Sequence, residues 1–189
     1  MDRAKIEQGV RLILEGIGED PSRHGLVDTP RRVAEMYEEV LDGIGRDLKM
    51  LVQPMLSDTH QELVLIRDIP FFSMCEHHLV PFFGVAHVGY IPSKGGSIAG
   101  LSKLARLVKT AAARLQLQER LTSEIADTVV ETLAPAGVLV LIQAEHLCMS
   151  MRGVRTVGSL TVTSAVRGVF RSNAATRAEV LALIDAPRS

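Results

Sequence analysis

Phe71-Phe72-Ser73-Met74-Cys75-Glu76-His77-His78-Leu79-Val80-Pro81-Phe82 is the stretch around which the chain is organised. Cys75 and His78 are three residues apart, a spacing at which a thiolate and an imidazole close on one metal ion. The only other cysteine, Cys148, stands in Glu145-His146-Leu147-Cys148. A four-cysteine structural site therefore cannot be built. Cys75, His78 and Cys148 supply three ligands and leave a fourth position for water, the arrangement of a catalytic rather than a structural zinc. His77 and His146 each stand beside a ligand and remain available for proton transfer. The plainer reading, two buried thiols or a disulfide, does not account for histidines beside both cysteines.

The flanks of this loop set the fold class. Residues 62–68 (ELVLIRD) and 83–91 (FGVAHVGYI) read as strands that pair as neighbours around it. Residues 138–144 (VLVLIQA) form a buried strand whose end delivers His146 and Cys148 to the metal, and 159–167 (SLTVTSAVR) form a fourth strand. Between them, apolar residues at helical spacing predict a long helix over 101–115, burying Leu101, Leu104, Ala105, Val108, Ala111, Ala112 and Leu115. A second helix over 119–134 buries Leu121, Ile125, Val129 and Leu133. Residues 92–97 (PSKGGS) read as a mobile connection, and 174–184 as a short closing helix. The expectation is an α+β chain: an antiparallel four-stranded sheet with helices on one face.

The N-terminal part reads as a helical pair. Ile6, Val10, Ile13, Leu14 and Ile17 predict a helix over 3–16. Thr29 is placed to cap a second helix with Pro30 in its first turn, and Val33, Met36, Tyr37, Val40 and Leu41 form its stripe. Gly43 can take the left-handed position after it. Residues 44–60 read as a loop. The expected division is 1–50 as a helical region, packing on another subunit, and 51–189 as the main domain.

Composition limits the partners. Hydrophobic residues are 47% of the 189, aromatics only 4%, so aliphatic side chains must fill the core. A net charge of −1 argues against general nucleic-acid binding. No run of about eighteen apolar residues predicts a membrane span. Two cysteines without a disulfide framework, and no apolar run at the N-terminus, lead us to expect a cytoplasmic protein.

Four basic residues can converge on a polyphosphate: Lys103 and Arg106, one helical turn apart, with Arg152 and Arg32. No glycine-rich phosphate loop is present, so side chains would have to hold such a ligand. By spacing alone Lys103 and Arg106 fit a solvated helix face equally well, and Arg32 fits a surface position. Gln118 and Glu119 together can read the donor edge of guanine, although Glu119 also suits the positive end of a helix.

Taken together these residues resemble GTP cyclohydrolase type I. The matching motifs are Thr29-Pro30-x-Arg32-Val33-Ala34-x-Met36-Tyr37, Cys75-Glu76-His77-His78, Gly100-Leu101-Ser102-Lys103-Leu104-x-Arg106, Gln116-x-Gln118-Glu119-Arg120-Leu121-Thr122, His146-x-Cys148 and Arg152-Gly153. The resemblance covers about residues 3–185. It implies conversion of GTP and water to 7,8-dihydroneopterin triphosphate and formate, opening pterin and tetrahydrofolate biosynthesis. It implies zinc on Cys75, His78 and Cys148, and acid–base roles for His77 and His146. Lys103, Arg106, Arg152 and, from a neighbouring subunit, Arg32 would bind the triphosphate. Gln118 and Glu119 would bind guanine, with Ser102 near the ribose. Glu76 would orient a ligand or histidine from behind. The implied fold is a T-fold, whose sheets close into a five-subunit barrel, with two rings stacked into a homodecamer. A nucleobase deaminase would need Pro-Cys-x-x-Cys, which is absent. A T-fold nitrile reductase would not need three metal ligands. A metal-stabilised binding module stays open at this point.

Overall fold

The loop at Cys75–His78 joins two long antiparallel strands that run further than their sequence suggests. The computed structural model describes residues 1–56 and 60–187. Its elements are α1 (Arg3–Gly16), α2 (Thr29–Val40), a 3-10 turn (Leu48–Leu51), β1 (Pro54–Leu56), β2 (Val64–Cys75), β3 (Pro81–Ile91) and β4 (Ser97–Ala99). They continue through α3 (Leu101–Ala112), β5 (Leu115–Gln116), α4 (Gln118–Leu133), β6 (Gly137–His146), α5 (Leu147–Ser150), β7 (Thr161–Gly168), α6 (Val169–Ser172) and α7 (Ala174–Asp185). The chain divides into two compact units, Met1–Asp42 and Gly43–Ser189.

In the first unit α1 and α2 pack on each other and are joined by an Arg3–Glu38 ion pair. Leu14 and Ala34 are buried, but Ile13, Ile17 and Met36, expected in the buried stripes, are exposed. Two helices meeting along one seam cannot cover the wide stripe that each presents. Thr29 does not cap α2. It lies inside the helix, Asp28 holds the cap position, and no side chain bonds to the first amides.

In the second unit the sheet order is β5-β2-β3-β6-β7, with β5 parallel to β2 and the other pairs antiparallel. The expected four strands are thus joined by a fifth, two residues long. Leu115, predicted to end a helix, stands opposite Met74 in this strand. Leu101 and Leu115 are exposed, while Leu107 fills the core position that the pattern missed. The loop expected over 44–60 contains the 3-10 turn and β1, and its residues 57–59 lie outside the described residues. The segment over 92–97 is pinned. Ser93 Oγ donates to Ala134 O at 2.8 Å, and β4, which begins at Ser97, pairs with β1.

The main core lies between the sheet and α3 and α4. Phe82, Val88 and Tyr90 of β3 and Val138, Val140 and Ile142 of β6 meet Leu104, Leu107, Val108, Leu121, Ile125 and Val129. The opposite face is not bare, contrary to the one-sided expectation. Leu139 and Leu141 pack there with Phe170, Val180 and Ile184 of α6 and α7.

A bulge in β2 aims the metal loop. Pairing with β3 slips between Ile66 and Ile69, and Asp68 has φ +61°. The Asp68 N–H donates to His87 Nδ1 at 3.2 Å, which fixes the kink. Before it Val64 and Ile66 face the helices, and after it Ile69, Phe71 and Cys75 do. The extra residue inverts the alternation. Without it Cys75 would point to the other side of the sheet.

Two glycines are required by close approach. A Cβ on Gly84 would lie 1.9 Å from Gln143 O, and one on Gly43 2.2 Å from Thr110 O. Gly43 is therefore kept small by crowding and is not the left-handed cap expected after α2, since its φ is not positive. Gly84→Ala should force β3 and β6 apart and cost about 3 kcal/mol or more, above the usual overpacking range because backbone must move. Urea unfolding would measure it, and a loss under about 1 kcal/mol would contradict this packing.

Candidate metal centre

Cys75 ends β2, and the chain turns back at once. The amide of His78 (3.4 Å) and that of Leu79 (2.9 Å) both donate to Cys75 O, and Cys75 N–H donates to Val80 O at 2.9 Å. Leu79 takes the left-handed conformation, φ +53°, that closes the turn. This brings the His78 ring back beside the Cys75 thiol. From the other side, Phe82 of β3 pairs with His146 at the end of β6, so α5 begins level with the loop and carries Cys148 to it.

The donor atoms of Cys75, His78 and Cys148 all lie within 4.8 Å of one another. Both cysteines are free thiols. Burial, and after it the neighbouring Cys75, push the Cys148 thiol above its usual range. A thiol so raised keeps its proton until a cation displaces it. Two sulfurs and one imidazole form a donor set for a borderline-soft metal such as zinc, and three protein ligands leave a position open. Arg152 Nη1 donates to His78 Nε2 at 3.2 Å, which places a guanidinium at the rim of this set.

Beside the donors opens a cleft of about 600 Å³, lined among others by His77, Gln118, Glu119 and His146 together with both cysteines. The His146 ring stacks on Phe82, with centroids 4.6 Å apart and planes 2° from parallel. Its Nε2 lies 2.7 Å from Gln118 Oε1. The Gln118 amide can be oriented in only one way, because its Nε2 has three acceptors within reach of its two hydrogens, Ile142 O (3.1 Å), Thr161 O (3.0 Å) and Thr163 Oγ1 (3.1 Å). Carbonyls only accept, so Oε1 faces the ring and His146 Nε2 carries the hydrogen. Burial lowers the pKa of His146, against an opposing pull from Glu119.

Residues 6–185 match the family model for GTP cyclohydrolase I. The chain belongs to the GTP cyclohydrolase I family. A GTP cyclohydrolase 1 from Halalkalibacterium halodurans is 64% identical over 184 residues, covering 97% of each chain. One from Bacillus subtilis is 62% identical over 181 residues, 96% of this chain and 95% of the relative. One from Caldanaerobacter subterraneus is 59% identical over 188 residues and spans both chains completely. Among solved structures, an archaeosine synthase QueF-Like in its apo form aligns at 20% identity and a TM-score of 0.47, over 56% of this chain and 93% of that one.

The other residues that the GTP cyclohydrolase I motifs single out have the following places. Glu76 forms an ion pair with Arg120, and this hydrogen bond holds its carboxyl below the usual range. Its bond goes to a guanidinium rather than to a histidine. The Gln118 side chain, expected on guanine, is buried and bonds to His146 and to the sheet. Ser102, Lys103 and Arg106 lie in the first turns of α3 and do not line this cleft. Arg32 is exposed and pairs with Asp28 in its own unit. Phe82 and Arg120 take part in the site although spacing did not single them out. Arg120 did leave a signal, being a cation in the first turn of a helix, where the dipole disfavours it.

Proposed function

We propose that the protein is a zinc-dependent GTP cyclohydrolase I, which converts GTP and water to 7,8-dihydroneopterin triphosphate and formate at the start of pterin and tetrahydrofolate biosynthesis. The observation that carries this reading is the meeting of Cys75, His78 and Cys148 at the mouth of a cleft lined by His77, Glu119 and His146. Zinc held by those three residues supplies Lewis acidity that makes water ionise near neutral pH. Glu119 accepts two parallel hydrogen bonds from guanine N1–H and the 2-amino group, and so sets the base in the cleft. His146 protonates N7, which makes C8 a better electrophile. Its Nε2–H is taken by Gln118, so Nδ1 is the atom at which it exchanges protons. A pKa lowered by burial makes its protonated form a stronger acid. His77 serves the later proton transfers.

Arg152 meets the triphosphate from the cleft's own chain. Lys103 and Arg106, with Ser102 near the ribose, reach it from a neighbouring subunit, as does Arg32. The place of the first turns of α3 outside the cleft of their own chain supports that assignment. Residues 51–189 form the catalytic T-fold, and 1–50 the N-terminal helical region. T-fold sheets close into a five-subunit barrel and two rings make a homodecamer. The edge position of β7, and exposed Val154, Val157, Leu160 and Val162 on and before it, favour such closure. No helix among the described residues is long and apolar enough to cross a membrane.

The test is incubation of reduced, zinc-loaded protein with GTP while pterin absorbance is followed. No pterin from fully loaded protein overturns the reading. Glu119→Gln, which turns one acceptor into a donor facing the guanine N–H groups, should lower kcat/KM for GTP by about 10- to 100-fold. An unchanged kcat/KM would remove Glu119 from guanine recognition.

A further inference from the structure

We propose that Arg120 is a positioning residue for the metal centre. Through Glu76 it holds the Cys75–His78 loop in its metal-receiving shape, and it ties that loop to the turn of α4 that carries Glu119. This rests on the reading of Cys75, His78 and Cys148 as metal ligands.

Arg120 is the third residue of α4. Its charge opposes the helix dipole there. Helix stability therefore does not explain its place. Its contacts do. Nη2 donates to the Glu76 carboxylate and, at 3.0 Å, to Leu115 O, while Nε donates to Gln116 Oε1 at 3.0 Å. Gln116 is itself fixed. It is 1% exposed, and its Nε2 donates to Ala111 O (3.1 Å) and to the Glu124 carboxylate (2.8 Å). Both of those groups only accept, so Oε1 must face Arg120.

The backbone makes a second tie, for Glu76 N–H donates to Gln116 O at 3.2 Å beside the Cys75–Gln116 pair of β2 and β5. The residue that follows Cys75 is thus bonded once to the segment leading into α4 and once to α4 itself. Only a planar guanidinium reaches a carboxylate, a carbonyl and an amide oxygen at once, and a lysine ammonium does not reproduce that fork. The pair is partly exposed, with side chains 42% and 31% accessible, so its direct contribution to stability is small. Its effect belongs to the shape of the loop.

The experiment is competition for zinc between the reduced full-length protein and a chromophoric chelator, with thermal melts of the metal-free forms alongside. Glu76→Gln and Arg120→Met should each weaken zinc binding by about 10- to 100-fold; the metal-free melting temperature should stay near wild type for Glu76→Gln and fall for Arg120→Met, which leaves the buried Gln116 Oε1 without its donor. Arg120→Lys should recover only part of the loss. The double variant should be no weaker than the worse single one, because both remove one interaction. Affinities within about twofold of wild type, or single losses that multiply in the double variant, would overturn the proposal. Should Arg120→Met not fold, the isosteric Glu76→Gln decides alone. A wild-type chain that binds no zinc contradicts the functional reading, whereas a normal wild type with unaffected variants contradicts only this inference.

Discussion

Cys148→Ser is expected to leave a folded protein that holds no metal and turns over GTP slower by a factor of roughly 10⁴ or more, since bound metal moves the pKa of water from about 16 to about 7. The expectation follows from the donor count. Cys75, His78 and Cys148 are the only such group among the described residues, and the chain has no third cysteine to replace a lost one. A serine hydroxyl is a hard, protonated group and a poor substitute for thiolate toward a borderline-soft ion. The fold should survive because Cys148 is half-buried in the four-residue α5, at the margin of the core. Its melting temperature should fall to that of metal-stripped wild type and no further, the difference being the binding free energy of the metal. Metal analysis after dialysis, a thermal melt and a GTP assay read the three parts separately. Retention of both metal and turnover would show that the ion, if any, is held elsewhere.

His146→Asn should keep its metal and lose about 10²- to 10⁴-fold in kcat, the usual contribution of a positioned acid or base. The ring is fixed from two directions, by the face of Phe82 and by Gln118 Oε1. Asparagine can still bond to Gln118 but cannot carry a proton to N7. The loss should therefore fall on kcat more than on KM, and stripping the metal from the variant should lower turnover further. Substitution of His77 should cost less if it serves only the later transfers. A kcat of His146→Asn within about tenfold of wild type would move the acid role away from His146.

The sequence was most legible where periodicity is strong. The buried stripe of α4, Leu121, Ile125, Val129 and Leu133, stands as read. So does the strand that carries His146 toward the metal loop. The group Cys75, His78 and Cys148 could be picked out because thiols are scarce in this chain and each has a histidine nearby. Elsewhere local pattern misled for physical reasons. A two-residue strand such as β5 has no period of its own, and Leu115 continued the helical spacing of α3 by coincidence. The bulge at Asp68 depends on a bond that its N–H donates to His87, nineteen residues away, which no local window contains. The exposure of Ile13, Ile17 and Met36 reflects how little surface two helices can cover together. The side-chain partners of Gln118 and Glu76 were not legible, because an amide or carboxylate in a motif looks the same whether it faces a ligand or a neighbour. Only the three acceptors around Gln118 Nε2, and the guanidinium beside Glu76, separate the two cases.

The most direct test of the account is formate release from GTP, measured as metal-free, reduced protein is titrated with zinc. The account predicts that release begins with the first zinc added, rises in proportion to loading, and levels off at one ion per chain. Formate release that ignores zinc, or none from protein loaded one to one, would contradict it.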